Sequence, residues 1–187
     1  MKEEIQKAVE VLRKGGIILY PTDTIWGIGC DAANTIAIEK IYTLKKRTDS
    51  KSMLALVDNA DRISHYVKKI PHIARDLIEL SNKPLTIIYP DAVNLPDNLL
   101  AEDGSIGIRV VQHEFCQQLI FTLNRPLVST SANVSGEKIP STFAEISDEI
   151  INSVDYVIDP RFEEKVTHKP SSIIKLGISG EVKIIRK

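Results

Sequence analysis

Short apolar runs alternate with stretches of helical periodicity along most of this chain. A short apolar run reads as a strand buried on both faces, and an amphipathic helix must lay its apolar side on something. A sheet covered by helices satisfies both needs. Ile5, Ala8, Val9 and Leu12 recur at helical spacing, so residues 2–14 form a helix that Gly15 and Gly16 stop. Asn34 caps a second helix through Lys45, with Ala37, Ile38, Ile41 and Leu44 on one face. A weaker helical stretch covers 60–80 and breaks near Pro71, and further helices cover 113–124 and 142–151. Strands are expected at 17–20, 53–57, 85–89, 105–111, 126–130, 154–158, 171–176 and 181–186, the last two joined across Ser179-Gly180. The pattern predicts an α/β domain, α+β by strict classification, with helices flanking a mixed sheet.

The chain of 187 residues is sized for one domain spanning 1–187. At 43% hydrophobic it has material for a core, which excludes disorder as the main state. Twenty-four basic residues balance twenty-five acidic ones, giving a net charge of −1. That argues against a protein coating nucleic acid with its whole surface, while leaving room for a local basic patch. Cys30 and Cys116 are too few for a disulfide framework and lack metal-pair spacing, which fits a cytoplasmic location. The charged N-terminus has no signal core, and no stretch approaches the ~18 apolar residues of a membrane span.

Four polar segments stand where strands begin or end, the usual place for ligands in α/β sheets. In PTDTIWGIGCDA (21–32) hydroxyls and a carboxylate leave a buried strand. Its Gly-Ile-Gly lacks the third glycine of a dinucleotide fingerprint, so spacing alone favours a strand-to-helix turn. In LKKRTDSKSM (44–53) Lys45, Lys46, Arg47 and Lys51 face only Asp49. Two readings stand level there: cations complementing a helix C-terminus, or a clamp for polyphosphate. STSANVSGEKIPS (129–141) gathers hydroxyls and an Asn after a strand. It can line a pocket or be an ordinary loop. KPLTII (83–88) and KPSSII (169–174) open alike, so Thr86, Ser171 and Ser172 begin strands that face a shared cleft or match by coincidence.

Arg109 is a charge inside the apolar strand SIGIRVV. An exposed edge explains it cheaply, and a carboxylate-binding role explains it if the sheet is covered there. Trp26 either walls a pocket or fills core, core being the commoner fate. His65, His72, His113 and His168 are scattered without ligand spacing, so no metal ligand is assigned.

The order and spacing of these segments together resemble the YrdC-like family, the threonylcarbamoyl-AMP synthases. The match covers nearly the whole chain and is strongest at PTDTIWGIGCDA, the KKR…K segment, PLTII, GIRVV followed by His113, and STSANVSG. The resemblance implies a twisted sheet with a concave basic face and no additional C-terminal domain. It implies joining of L-threonine, bicarbonate or CO2, and ATP with Mg2+ to give threonylcarbamoyl-AMP and pyrophosphate. A downstream tRNA threonylcarbamoyl transferase would then modify adenosine 37 in tRNAs reading codons that begin with A.

By the same resemblance Lys45, Arg47 and Lys51 are the catalytic cations, and Arg47, Lys51, Thr86, Ser141 and Arg186 contact ATP. Thr24, Arg109, Ser131, Asn133 and Ser171 contact L-threonine. The chain departs from the family pattern at Trp26, usually Tyr or Phe, at Thr48 and Ser52-Met53 in the basic loop, at Lys83, and at Lys169-Pro170 before Ser171. Two rival readings remain: an RNA-binding module without chemistry, against which the 5% aromatic content speaks, and a carbamoyl-adenylate enzyme, whose accompanying domains and metal-binding cysteines this chain lacks.

Overall fold

The computed structural model describes residues 1–46, 53–164 and 166–187. Helix α1 (Lys2–Arg13) buries Ile5, Ala8, Val9 and Leu12, as its periodicity requires. It ends in a Schellman turn: Gly16 N–H donates to Val11 O at 2.9 Å and Gly15 N–H to Leu12 O at 3.0 Å. Gly15 takes a φ of +77°, which only glycine adopts at no steric cost. Helix α2 (Thr35–Leu44) starts at Asn34, whose side chain accepts from the Ala37 N–H at 3.0 Å. Helices α3 (Ile73–Leu80), α4 (Glu114–Leu123) and α5 (Asp148–Asn152) follow. The expected helix over 60–80 is a 3₁₀ segment, Ala60–His65, then α3, so the break is wider than Pro71 alone. The stretch 142–151 likewise divides, into a 3₁₀ turn at Phe143–Glu145 and α5.

The strands are β1 (Ile18–Tyr20), β2 (Gly27–Gly29), β3 (Leu54–Val57), β4 (Leu85–Tyr89), β5 (Ile106–Val110), β6 (Leu127–Ser131), β7 (Tyr156–Val157), β8 (Ser172–Leu176) and β9 (Val182–Arg186). Among the described residues they form one mixed sheet in the order β7-β1-β2-β6-β3-β5-β4-β8-β9. The turn reading of 21–32 is corrected here, because Gly27–Gly29 is strand β2, antiparallel to both β1 and β6. Glycine disfavours strands, which hid β2 from the sequence. Crowding explains why glycine is needed: a Cβ on Gly29 would come within 2.4 Å of Val128 O and 2.7 Å of the Tyr20 ring.

Alternation divides the core into two layers. On one face Leu19, Ile28, Val57, Ile87, Ile108 and Val128 pack with Ala37, Ile38 and Ile41 of α2, with Ile63 and with Ala74. On the other, Ile18, Tyr20, Leu56 and Leu127 meet α1 and Phe115, Cys116, Leu119, Ile120 and Leu123 of α4. No residue of β4, β8 or β9 joins this second cluster. Over those strands the same face floors a cavity. Among the described residues no helix is long and apolar enough to cross a membrane.

Candidate active site

Strand register builds the cavity floor. Leu54 pairs with Gly107 and Ser129, Thr86 pairs with Arg109 and Ile173, and Ile173 pairs with Arg186. Paired residues in a sheet share a face, so Ser129, Leu54, Gly107, Thr86, Arg109, Ile173 and Arg186 point the same way. They line a cavity of about 240 Å³ with Thr22, Thr24, Ile25 and Trp26 of the segment before β2, and with Ser131, Pro170 and Ser171. Gly107 leaves the floor low. The nearest atoms to a Cβ there would be Thr86 Cγ2 at 3.4 Å, Leu54 Cβ at 3.6 Å and Ile88 Cγ1 at 3.9 Å.

Arg109 is buried at the centre, 3% exposed. One terminal nitrogen donates to Thr24 Oγ1 at 3.1 Å. The other lies 3.2 Å from Asp23 Oδ1, close enough for an ion pair but out of line for a hydrogen bond. Its Nε is buried without a hydrogen-bond partner. A guanidinium carries five donors, and burying one unpaired costs roughly 1–3 kcal/mol or more. The edge-strand explanation of Arg109 therefore falls, and a planar donor fork on a cavity floor suits a carboxylate. Asp23, a carboxylate given no site role from the sequence, is 4% exposed. Its second oxygen accepts from Gln112 N–H at 3.1 Å and its carbonyl from Thr167 N–H at 3.1 Å. One residue thus ties the first loop to the end of β5 and to the segment leading into Ser171. Its signal was a carboxylate directly after a buried strand, between Thr22 and Thr24.

The two Lys-Pro openings do share the cleft. β4 and β8 run parallel, and Thr86 Oγ1 and Ser171 Oγ lie 2.8 Å apart, buried. Arg186 Nε donates to Ser171 O at 2.9 Å, bringing a second guanidinium to the cavity. Desolvation, and then the charge of Arg109, push its pKa below the usual arginine value. Two like charges facing one cavity favour an anion between them. Trp26 fills core and walls the cavity at once: it is fully buried, and its ring centroid is 4.9 Å from that of Phe143.

Thr24, Thr86, Arg109, Ser131, Ser171 and Arg186 are brought together on the cavity lining. Three expected contacts stand elsewhere. Lys45 is 3% exposed, and its ammonium donates to the carbonyls of Ser131 and Asn133, each at 2.6 Å. It holds the Ser-Ala-Asn loop and is not itself among the residues of the lining. Asn133 is buried and spends its amide N–H groups on the carbonyls of Val134 and Glu137, both at 2.9 Å. Ser141 is half-buried off the lining, with its carbonyl 2.7 Å from His168 Nδ1. Arg47 and Lys51 lie outside the described residues. Among the described residues no group of three or more His, Cys, Asp or Glu side chains stands placed to hold a metal ion.

The model of the Sua5/YciO/YrdC family, described as telomere recombination, matches residues 10–187. The chain belongs to this family. It is 33% identical over 181 residues to the threonylcarbamoyl-AMP synthase of Pseudoalteromonas translucida, spanning 95% of each chain. It is 30% identical over 174 residues to that of Vibrio cholerae O395, spanning 91% of this chain and 92% of the relative. E. coli YciO superposes with a TM-score of 0.83 at 26% identity, over all of this chain and 90% of its own. P. abyssi Sua5 complexed with L-threonine gives 0.83 at 24% identity, over 92% of this chain and 50% of its own. The last likeness is one of fold.

Proposed function

We propose that this chain is a cytoplasmic, single-domain synthase of L-threonylcarbamoyl-AMP, built from L-threonine, bicarbonate or CO2, and ATP. The observation that carries the reading is the buried, unpartnered Nε of Arg109 on the cavity floor, beside the Thr24 hydroxyl. The sequence relatives that share its length bear that activity as their name.

Size supports a division of the parts. About 240 Å³ falls below the ~300–1,000 Å³ of pockets that enclose a whole drug-sized ligand. The cavity therefore takes threonine, and the nucleotide lies across its mouth at Arg186. Arg109 grips the amino-acid carboxylate. Hydroxyls of Thr24, Ser131 and Ser171 meet its hydroxyl and amine, and Thr86, hydrogen-bonded to Ser171, stands on the nucleotide side. A site built to pair a hydroxyl rejects an analogue lacking it by large factors, whereas one methyl is worth ~10–200-fold. Valine is then excluded strongly and serine by the smaller factor.

The chemistry needs position more than acid or base. The threonine amine attacks CO2 and loses a proton to solvent or bicarbonate, giving a carbamate. A carbamate oxygen attacks the α-phosphorus of ATP, and pyrophosphate leaves with the electrons of the broken P–O bond. Arg186, with Arg47 and Lys51 of the basic segment, neutralises the phosphates. Lys45 fixes the Ser131–Asn133 loop from beneath, and Ser141 stands beside the nucleotide path. Magnesium finds no carboxylate cage among the described residues. It would arrive with the triphosphate, and no step above depends on it. The product passes to a tRNA threonylcarbamoyl transferase that modifies adenosine 37.

The test is pyrophosphate release by the purified chain with threonine and bicarbonate each supplied or withheld. Release requiring both is expected. Release with carbamoyl phosphate alone, or none from folded protein, overturns the reading, and the second result paired with salt-sensitive RNA binding favours the RNA module.

A further inference from the structure

We propose that His168 is a positioning residue for the nucleotide, tying together two segments of the cavity rim so that they grip the nucleoside of ATP. The inference rests on the synthase reading and says which part of the site holds the base. Depth sorts the lining. Thr24, Thr86, Arg109 and Ser171 are buried and make a polar floor. Ile139, Pro170 and Arg186 are exposed while still on the lining, so they stand at the rim. Arg186 suits phosphate. Ile139 and Pro170 offer apolar surface, against which the flat face of a base can pack.

The two apolar rim residues come from distant parts of the chain, and one hydrogen bond joins their segments. His168 Nδ1–H donates to Ser141 O at 2.7 Å, across 27 residues. Ile139 stands two residues before Ser141, and Pro170 two residues after His168. The bond therefore sets the spacing between them. The His168 side is firm: Thr167 N–H donates to Asp23 O at 3.1 Å, and Ser171 Oγ lies 2.8 Å from Thr86 Oγ1. The Ile139 side needs the tie. Asn133 holds that loop as far as Glu137 O, at 2.9 Å. Beyond it, buried Pro140 is joined only by the exposed Lys138–Glu145 pair at 3.1 Å and by Ser141 N–H, 3.5 Å from Glu145 Oε2. An exposed ion pair holds little, and 3.5 Å is the far limit of a hydrogen bond. His168 makes its bond from a φ of +55°, in the left-handed region that a residue with a Cβ enters at a cost. Such strain persists where surrounding contacts enforce it, and it gathers at ligand clamps.

Two substitutions separate the tie from the strain. His168→Gly takes the left-handed φ freely and loses the hydrogen bond. His168→Asn tolerates the same φ and carries an amide N–H on Cγ, where the imidazole carries Nδ1–H. Calorimetric titration of the whole chain with ATP, inorganic tripolyphosphate and L-threonine reads the parts of the site apart. In His168→Gly the ATP Kd should rise about three- to tenfold, the worth of one net hydrogen bond, while tripolyphosphate and threonine bind as they do to the parent. In His168→Asn the ATP Kd should return to within about twofold of the parent, because the donor is kept. Unchanged ATP binding in His168→Gly overturns the proposal. So does a matching loss for tripolyphosphate, which lacks the nucleoside, or for threonine. An Asn variant as weak as the Gly variant overturns it too. No turnover enters these titrations, so the two failures are told apart: a failed pyrophosphate assay counts against the synthase, and a failed titration series against the role of His168.

Discussion

Asp23 and Arg109 form a buried pair that is close but not aligned: 3.2 Å separates Oδ1 from the guanidinium, and the Nε of Arg109 is left without a partner. The carboxylate is the weaker claimant on the fork, so an incoming substrate carboxylate can take the free edge while Asp23 keeps the charge in place. Arg109→Lys retains the charge and loses the fork. It should raise the threonine KM by about 10- to 100-fold, in line with roughly 1.5–3 kcal/mol for a charged hydrogen bond, with little change in the ATP KM. Steady-state pyrophosphate release checks this, and an equal rise for both substrates counts against the assignment. Asp23→Asn leaves a buried guanidinium uncompensated. Urea unfolding should show a loss of about 3–5 kcal/mol at unchanged m.

The Thr86–Ser171 contact joins β4 to the residue just before β8 across 85 residues of chain. Thr86→Val and Ser171→Ala each strand one buried hydroxyl, at about 1–3 kcal/mol. The double variant strands neither, so it should cost less than the sum of the two, by at least about 0.5 kcal/mol. Additive losses in urea unfolding would mean that the two hydroxyls do not depend on each other.

These pairs show what the sequence made legible. The openings KPLTII and KPSSII announced two similar strands, and the sheet lays them side by side. Asn34 and the double glycine after Arg13 marked helix ends because capping is local chemistry. Arg109 stood out because a charge amid apolar β-branched residues demands a reason. Strand β2 did not stand out, since its glycines answer to Tyr20 on β1 and to Val128, Ser129 and Thr130 on β6. The inward bonding of Lys45 and Asn133 was hidden for the same reason. Both carry the right chemistry, but their hydrogen bonds go to loop carbonyls, a choice that only packing decides. The role of Asp23 was not legible because its partners are about 90 and 140 residues away.

His113 gives the fold a pH dependence. It is 5% exposed, with Nε2 3.1 Å from Phe162 O. Burial pushes its pKa below the usual histidine value, against the pull of the Asp23 charge. Above about pH 6.5 both folded and unfolded chains hold it neutral. Below that the unfolded chain takes up a proton that the folded chain refuses, so stability falls as pH drops toward the folded value. The urea midpoint should therefore decrease from pH 7.5 to 5.5. His113→Gln should flatten that slope, and an unchanged slope would place the titration elsewhere.

Two glycines separate fold from site. At Gly29 a Cβ meets backbone, Val128 O at 2.4 Å, and a buried ring. Neither can give way, so Gly29→Ala should cost about 3 kcal/mol or more in urea unfolding. At Gly107 the nearest atoms are at ordinary van der Waals distance, 3.4 Å and beyond, so Gly107→Ala should unfold within about 0.5–1 kcal/mol of the parent. Its methyl instead rises from the floor beside Thr86 into space that the substrate needs. The threonine KM should rise severalfold while ATP binding holds. If Gly107→Ala left the threonine KM unchanged, threonine would not reach the floor of this cavity, and the carboxylate grip assigned to Arg109 would have to move with it.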